Sequence, residues 1–220
     1  MMNKRSDILN GIVLLCFLIG VSVPLFANQK EAKEVLDKTA SAFRQSGGIN
    51  ATFTVQTYVK SKLQNTSSGN IRLKGDKFLL DAEGVKTWFD GRTQWSYVAG
   101  NDEVNVAQPT SEELQSINPY AFLSIYEKGY DLKVGNKTVY AGKSVYEVIL
   151  TAKNKKSDLQ CIILYVTKDK LEPICISMAQ RSGGSVAIRV NTYQSGLSFA
   201  DSMFVFNKKD YPSAEIVDLR

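Results

Sequence analysis

The chain contains no histidine, and this absence excludes several kinds of catalytic and metal site. Ser-His-Asp and Cys-His nucleophile arrangements need an imidazole as the base, and the usual zinc sites need histidine or several cysteines. The chain has three cysteines, of which Cys16 lies in an apolar N-terminal stretch. Cys161 and Cys175 alone make a poor metal site, so we expect neither a metal nor a cofactor.

A glycine-rich phosphate-binding loop is also missing. The nearest stretch, residues 182–185, is typical of a hairpin turn and has no helix after it to bind a phosphate. Paired carboxylates are the remaining route to catalysis, and a hydrolase that uses Asp90 and Glu103 is one hypothesis. The other acidic candidates are Asp76, Asp81 and Asp102. All lie at predicted turns or strand ends, where aspartate is favoured without any catalytic role, so we expect a protein that is not an enzyme.

Long apolar runs are missing everywhere except at the N-terminus. Lys4 and Arg5 precede an almost wholly apolar stretch over residues 11–23, and residues 25–27 fit a signal-peptidase cleavage site. The stretch is shorter than the ~20 residues of a spanning helix, so we expect cleavage rather than an uncleaved anchor. The predicted organisation is a signal peptide over residues 1–27 and one domain over residues 28–220.

The charge excess is small. Without Lys4, Arg5 and Asp7, the 27 basic and 22 acidic residues of the chain become 25 and 21, a net charge of about +4. These charges form no long blocks of one sign, so the sequence predicts no nucleic-acid surface. A weak attraction to anionic lipid headgroups stays open.

An oxidising compartment permits a disulfide between Cys161 and Cys175, which flank a predicted turn near residues 167–172. We expect the two flanking strands to be neighbours. A bridge also needs the two Cα atoms within about 7 Å of each other, which the strand register decides. Both the bridged and the free state are therefore open from the sequence.

Strand patterns dominate the rest of the chain. The apolar residues of 29–46 recur at helical spacing, which predicts one amphipathic helix. About a dozen short alternating runs follow, including one over 203–206, and a polar loop is predicted over 61–68. This pattern indicates a single mainly β domain. Its sheet must curl or close into a barrel or half-barrel to cover its inner face and its edges.

A helical interruption divides the strand series. After Pro109, Thr110 and Glu113 have the spacing of a capping box, in which each side chain bonds a free backbone N–H at a helix start. A second short helix is predicted from Asn118 to Gly129. Helices this short are unstable alone, so their apolar side chains must pack against the sheet or against a ligand.

The most specific motif of the chain is the predicted hairpin Asp90-Gly91-Arg92-Thr93-x-Trp95-x-Tyr97, followed by Glu103-Val104-x-Val106. Gly69-x-Ile71-x-Leu73-Lys74 comes before it, and the apolar helical insert and the terminal Ile216-Val217-Asp218 come after it. In this order, the motifs resemble the LolA family of periplasmic carriers of outer-membrane lipoproteins. The resemblance covers nearly all of the predicted domain.

The resemblance implies a single unclosed antiparallel β-barrel, or half-barrel, with an N-terminal helix and a short helical lid. It implies a monomeric periplasmic chaperone that binds the acyl chains of lipoproteins in a hydrophobic cavity and carries them from the inner to the outer membrane. The expected partners are acylated lipoproteins, an inner-membrane release complex and an outer-membrane acceptor. A lipid-sensing or scaffold protein of the cell envelope with the same fold is the alternative function.

Within this resemblance, the lid and the cargo compete for one cavity. Burying a sixteen-carbon chain contributes about 12 kcal/mol, close to what a bilayer offers, so lid packing must replace the cargo when it leaves. The lid residues assigned to this competition are Leu114, Ile117, Phe122, Leu123, Ile125 and Tyr126. The cavity wall is assigned to Phe53, Phe78, Trp95 and Tyr97, although ordinary core packing is the alternative for each.

One departure from the family concerns lid closure. Its well-studied members carry Arg-Pro just before the phenylalanine that resembles Phe78, and the arginine ties the lid shut. The same two places read Lys74-Gly75 here. Lysine keeps the charge but lacks the planar fork that can hold several carbonyls, so the sequence predicts weaker closure or closure through other contacts.

Overall fold

A computed structural model of the protein describes residues 24–110, 113, 114, 126 and 129–220. Helix α1 spans Pro24–Gln45. The strands are β1 Gly48–Val59, β2 Lys62–Lys74, β3 Lys77–Ala82, β4 Val85–Phe89, β5 Gln94–Val98, β6 Glu103–Ala107, β7 Tyr130–Val134, β8 Val139–Tyr140, β9 Lys143–Ala152, β10 Leu159–Thr167, β11 Pro173–Gln180, β12 Gly184–Leu197 and β13 Glu215–Asp218. Two short 3-10 helices, Asp201–Phe204 and Lys208–Asp210, precede β13. No helix within the described ranges is long and apolar enough to cross a membrane.

All the strands belong to one sheet with the order β13-β6-β5-β4-β3-β2-β1-β12-β11-β10-β9-β7, and β8 pairs with β9 beside this path. Every pairing is antiparallel except that of β13 with β6, which is parallel. The order begins at β13 and ends at β7, so the sheet is not closed. The predicted mainly β fold, with one N-terminal helix and an unclosed sheet, is therefore confirmed.

Helix α1 stabilises one open edge of this sheet. The side-chain oxygen of Asn28 accepts the backbone N–H of Val134 in β7 at 2.5 Å. The side-chain nitrogen of Asn28 donates to the carbonyl of the same residue at 3.3 Å. Because an edge strand leaves backbone groups unpaired, this amide takes the place of a neighbouring strand at Val134.

The two faces of the sheet are covered by different parts of the chain. Apolar residues of α1 pack on one face, which we call the helix face. The segment between β12 and β13, residues 198–214, packs on the opposite face over β3–β6. We call this segment the strap and the surface beneath it the strap face. Side chains alternate between the two faces along each strand, so the register assigns each residue to one of them.

Two predicted elements differ from the structure. The loop predicted over 61–68 is wrong, because β2 begins at Lys62 and pairs with β1 along its whole length. Residues 62–68 of β2 pair with β1 on one side only and are mostly exposed, so they need no apolar face. Lys60 and Ser61 close the hairpin with φ of 48° and 64°. The strand predicted over 203–206 is also wrong. Phe204 ends a 3-10 helix instead and is buried in the strap.

Cys161 and Cys175 are free thiols. Cys161 lies opposite Ala179, whereas Cys175 lies opposite Tyr165. This four-residue offset corresponds to about 13 Å along the strands, beyond the reach of a disulfide. The strand register therefore excludes the disulfide between Cys161 and Cys175 that the sequence left open.

Candidate functional site

The helix face carries a continuous apolar core. It is formed by alternate side chains of the strands and by one side of α1. Its members from α1 include Ala32, Val35, Leu36 and Ala40, and those from the central strands include Ile49, Phe53, Ile71, Leu73, Phe78 and Phe89. All of them are almost completely buried. A surface of this composition suits an apolar ligand.

Phe53 and Phe78, two of the predicted cavity residues, lie on this helix face. Phe78 packs on Phe89 with ring centroids 5.3 Å apart. The Phe53 ring covers Gly69 of the neighbouring strand, where an added Cβ would lie 2.6 Å from its Cζ atom. Phe53 therefore has a packing role over a glycine, and its role in a lipid cavity stays a prediction.

Trp95 and Tyr97 do not share this face. Trp95 lies opposite Trp88, whereas Phe89 lies opposite Gln94, so the register places Trp95 and Tyr97 on the strap face. Tyr97 packs against Tyr211 of the strap with centroids 4.5 Å apart. The prediction of one wall formed by all four aromatics is wrong for this pair, because residues an odd number of positions apart along a strand point to opposite faces.

The hydroxyl of Tyr97 has its own partner on the strap face. It donates to the Asp102 carboxylate at 3.0 Å. This hydrogen bond and the nearby charge raise the pKa of Tyr97 above its usual range. Because the Tyr97 ring packs on Tyr211 of the strap and its hydroxyl is hydrogen-bonded, we assign Tyr97 to holding the strap.

The start of the connection between β6 and β7 has the predicted capping box. The Glu113 carboxylate accepts the backbone N–H of Thr110 at 2.7 Å, and the Thr110 hydroxyl accepts the N–H of Glu113 at 3.3 Å. The hydrogen bonds that the Thr110 backbone N–H and hydroxyl donate to the Glu113 carboxylate lower its pKa. Leu114 follows in helical conformation and packs against the helix-face core. The capping-box prediction is confirmed.

Tyr126, near the far end of the same connection, is held against α1. Its ring is 5% exposed and belongs to the helix-face core. Its hydroxyl donates to Asp37 Oδ1 at 2.5 Å. The Lys33 ammonium also contacts Asp37, at 2.8 Å. The hydrogen bonds from Lys33 and Tyr126 lower the pKa of the Asp37 carboxyl. We call the Tyr126–Asp37 hydrogen bond the latch.

The other predicted lid residues, Ile117, Phe122, Leu123 and Ile125, lie outside the described residues. Of the six assigned to the lid, the structure places Leu114 and Tyr126, and it brings both onto the helix-face core with Phe53 and Phe78. A lid role for these residues stays a prediction.

Polar side chains interrupt the helix face over β4–β6. The register groups Thr87, Gln94, Ser96 and Asn105 on this side. Thr87 and Gln94 both hydrogen-bond to the Ser96 hydroxyl, at 3.3 and 3.0 Å. The buried Gln94 Oε1 has no hydrogen-bond partner among the described residues. We call these four residues the polar patch. Sequence analysis missed it, although the alternation of Gln94 and Ser96 with Trp95 and Tyr97 was a usable signal.

A pocket of about 320 Å³ opens where the C-terminal half of α1 meets the rim of the sheet. Phe43 of α1, Leu171 of the β10–β11 turn and Tyr193 of β12 line it, and all three also pack against the helix-face core. Burial raises the pKa of the Tyr193 hydroxyl. The described residues contain no group of three or more side chains arranged to hold a metal.

The comparisons with known proteins agree with this geometry. Residues 23–183 match the family described as outer membrane lipoprotein carrier protein LolA. The chain belongs to this family. No curated protein matches the sequence.

Several solved structures resemble the LolA-type chain. An uncharacterized conserved protein from Thermus thermophilus has a TM-score of 0.60 at 13% identity, covering 86% of this chain and 99% of that one. A LolA superfamily protein from Nitrosomonas europaea has a TM-score of 0.44 at 12% identity, covering 80% and 97%. The MucA/MucB complex from Pseudomonas aeruginosa gives 0.42 at 14% identity, covering 81% and 62%. The Thermus structure shows the same fold and, at this identity, the fold alone.

Lys74, which the sequence resemblance matches to the family's arginine, binds the strap. Its ammonium donates to the carbonyl of Phe199 at 2.7 Å and to the Asp201 carboxylate at 2.8 Å. Lys77 also contacts Asp201 at 2.8 Å, and the two lysines hold the pKa of Asp201 at about 2. Lys74 follows Leu73 in β2, and consecutive side chains of a strand point to opposite faces. Because Leu73 belongs to the helix-face core, Lys74 lies on the strap face, where it binds the strap.

Proposed function

We propose that this protein is a periplasmic carrier that binds the acyl chains of lipoproteins on its helix face and carries them from the inner to the outer membrane. The observation that carries the proposal is the family match over residues 23–183, the family being described as an outer membrane lipoprotein carrier. The apolar helix face supports it, because acyl chains need such a surface.

The β6–β7 connection supports a reversible cover for that face. Leu114 and Tyr126 come from its two ends, and both pack on the helix-face core. Cargo that entered between this connection and the core would replace apolar contacts by apolar contacts, at little net cost in buried area. The latch would break on entry and form again on release, when the connection packs back.

The polar patch gives the cargo an orientation. An acylated lipoprotein carries ester and amide groups between its chains and its polypeptide, and these groups lose water when the chains are buried. Gln94 Oε1 is an acceptor without a partner, and an amide N–H of the cargo satisfies it. We therefore place the chains over the apolar part of the helix face and the polar linkage at the patch over β4–β6.

The experiment that tests the carrier proposal is uptake of a fluorescent fatty-acid probe by delipidated protein, together with mass spectrometry of the acylated proteins that copurify from the native host. Leu114→Asp is expected to abolish uptake, because a charge on the helix-face core disfavours an apolar ligand. Met203→Asp is the matched control, since Met203 belongs to the strap and packs against the strap face, on the other side of the sheet.

Several outcomes would contradict the proposal. Delipidated wild-type protein that takes up no acylated ligand contradicts it directly. Copurification of a stoichiometric membrane regulator without any acylated protein would favour the sensing or scaffold alternative. Equal loss of uptake in both aspartate variants, with reduced melting temperatures, would show that the assay reports folding rather than a site on the helix face.

A further inference from the structure

Three turns at one rim of the sheet form a basic surface outside the proposed cargo site. They are the tip of the β1–β2 hairpin over 59–63, the β9–β10 turn over 153–158 and the β11–β12 turn over 181–183. Backbone hydrogen bonds join them. Lys60 N donates to the Gly183 carbonyl at 3.0 Å, and Arg181 N donates to the Asp158 carbonyl at 2.8 Å. We call this surface the basic rim.

The charge of the basic rim is strongly one-sided. Its basic residues are Lys60, Lys62, Lys153, Lys155, Lys156 and Arg181, all exposed, and its acidic residue is Asp158. Beside it, Asp131 lies 3.5 Å from Lys153. Across β2 the Glu83 carboxylate accepts from Asn65 at 3.3 Å. The rim contains 6 of the 25 basic residues and 1 of the 21 acidic residues of the predicted domain. The rest of residues 28–220 therefore has 19 basic and 20 acidic residues. The whole positive excess of the predicted domain is therefore concentrated here.

The hairpin tip adds exposed aliphatic side chains to this charge. Val59 is 49% exposed and Leu63 is 52% exposed. Leu63 lies opposite Tyr58 and therefore shares a side of the hairpin with it. Val59 follows Tyr58 in β1, so its side chain points to the other side. The two exposed aliphatic side chains are therefore on opposite sides of the hairpin. A flat protein surface would cover one of them. A tip that enters a lipid interface buries both, with the lysines at headgroup level.

We propose that the basic rim docks on the surface of an anionic lipid bilayer, with Val59 and Leu63 entering the interface. Charge complementarity argues for this partner, because juxtamembrane lysines and arginines are attracted to anionic headgroups. Gly129, where the β6–β7 connection rejoins the sheet, accepts from Lys153 N at 2.9 Å at this same rim. The inference goes beyond the carrier function, because docking on lipid requires no cargo.

The test is cosedimentation of residues 28–220 with vesicles of phosphatidylglycerol and phosphatidylcholine in equal parts, against vesicles of phosphatidylcholine alone. We expect binding to the anionic vesicles only, weakening as salt is added. Lys60→Gln with Lys62→Gln should lower the partition about 25-fold, at about fivefold for each charge. Val59→Thr with Leu63→Thr should lower it about tenfold while keeping strand propensity.

The matched control is Lys133→Gln with Lys209→Gln, which removes the same charge from exposed positions of β7 and the strap. It should leave the partition within twofold of wild type. Equal binding to both vesicle types overturns the proposal, and so does equal loss in the rim and control pairs. Probe uptake from detergent is measured on the same variants. Docking without uptake would contradict the carrier function alone, and uptake without docking would contradict the basic rim alone.

Discussion

Removing one oxygen from Tyr126 tests whether the latch controls access to the helix face. Tyr126→Phe deletes the hydroxyl that donates to Asp37 Oδ1 at 2.5 Å and keeps the buried ring. The ring also keeps its contact with the Lys33 ammonium, 5.9 Å from its centroid. The substitution therefore changes the hydrogen bond with little change in apolar packing.

The size of the effect follows from the surroundings of the two groups. A hydrogen bond to a charged group contributes about 1.5–3 kcal/mol when it is shielded from water. Tyr126 is buried, but the Asp37 side chain is 46% exposed, so water competes for the carboxylate. We therefore expect about 1 kcal/mol, which corresponds to a roughly fivefold increase in opening of the β6–β7 connection.

Two measurements read out this opening at pH 7. Hydrogen exchange of backbone amides near Tyr126 should be about fivefold faster in Tyr126→Phe, and the association rate of an acyl probe should rise by a similar factor. Tyr130→Phe is the control, because Tyr130 is a neighbouring, partly buried tyrosine of the same core. It should change neither rate by more than twofold.

The pH dependence provides an independent check. Lys33 and Tyr126 lower the folded-state pKa of Asp37 below its unfolded value near 3.9. The latch is therefore fully formed above about pH 4 and loses its charged acceptor as the pH falls through the lowered pKa. The difference between wild type and Tyr126→Phe should shrink over that range. An unchanged exchange rate in Tyr126→Phe at pH 7 would refute the assignment of the hydroxyl as a latch.

Three further predictions test the two faces and the thiols. Trp95→Phe and Tyr97→Phe should lower the melting temperature but leave acyl-probe uptake within twofold, since both side chains lie under the strap; loss of uptake without loss of stability would contradict this. Asp201→Asn should lower the melting temperature at pH 7 by breaking the contacts with Lys74 and Lys77. Because the folded pKa of Asp201 is about 2, this difference should be complete above about pH 4 and vanish as the pH falls toward 2; a difference that persists below pH 2 would show that the carboxylate charge is not the cause. A reducing agent should leave the melting temperature unchanged, and thiol titration of the unfolded mature protein should give two free cysteines; a lower count would indicate a bridge.

Local signals predicted the elements whose chemistry is local. The Asp90 carboxylate accepts from the backbone N–H groups of Arg92 and Thr93, at 2.8 and 2.7 Å, as the hairpin motif predicts. The capping box at Thr110 is present for the same reason. Both depend on residues within three positions of each other, so the sequence alone specifies them. The mainly β class follows from many such turns in series.

Face assignments failed where they depended on pairing between strands. Phe53 and Phe78 lie on the helix face, whereas Trp95 and Tyr97 lie on the strap face, and only the register of β1–β5 distinguishes these cases. The first part of β2, residues 62–68, was missed because its polar residues resemble a loop until the partner strand is known. The strap was missed because Phe204 and its neighbours cover the sheet through a 3-10 helix rather than a strand.

The resemblance to LolA identified the fold but not the contact that holds the β6–β7 connection against α1. A lysine at the place of the family's arginine suggested weaker closure, yet Lys74 faces the strap, where its charge holds Asp201. One contact that ties the β6–β7 connection to the helix side is between Tyr126 and Asp37, 89 positions apart. A pair that distant in sequence gives no local pattern, so no analysis of motifs would have found it.

The energetics of a carrier explain why a contact as small as the latch matters. Acyl chains gain about as much from a bilayer as from an apolar protein face, so their burial does not decide whether they stay. The balance is set by contacts that differ between the empty and loaded states. In the proposed carrier, loading would break the latch and give Gln94 Oε1 a donor, and each change would be on the order of 1 kcal/mol. Two opposing terms of similar size would keep both states accessible, as the proposed uptake and release of cargo require.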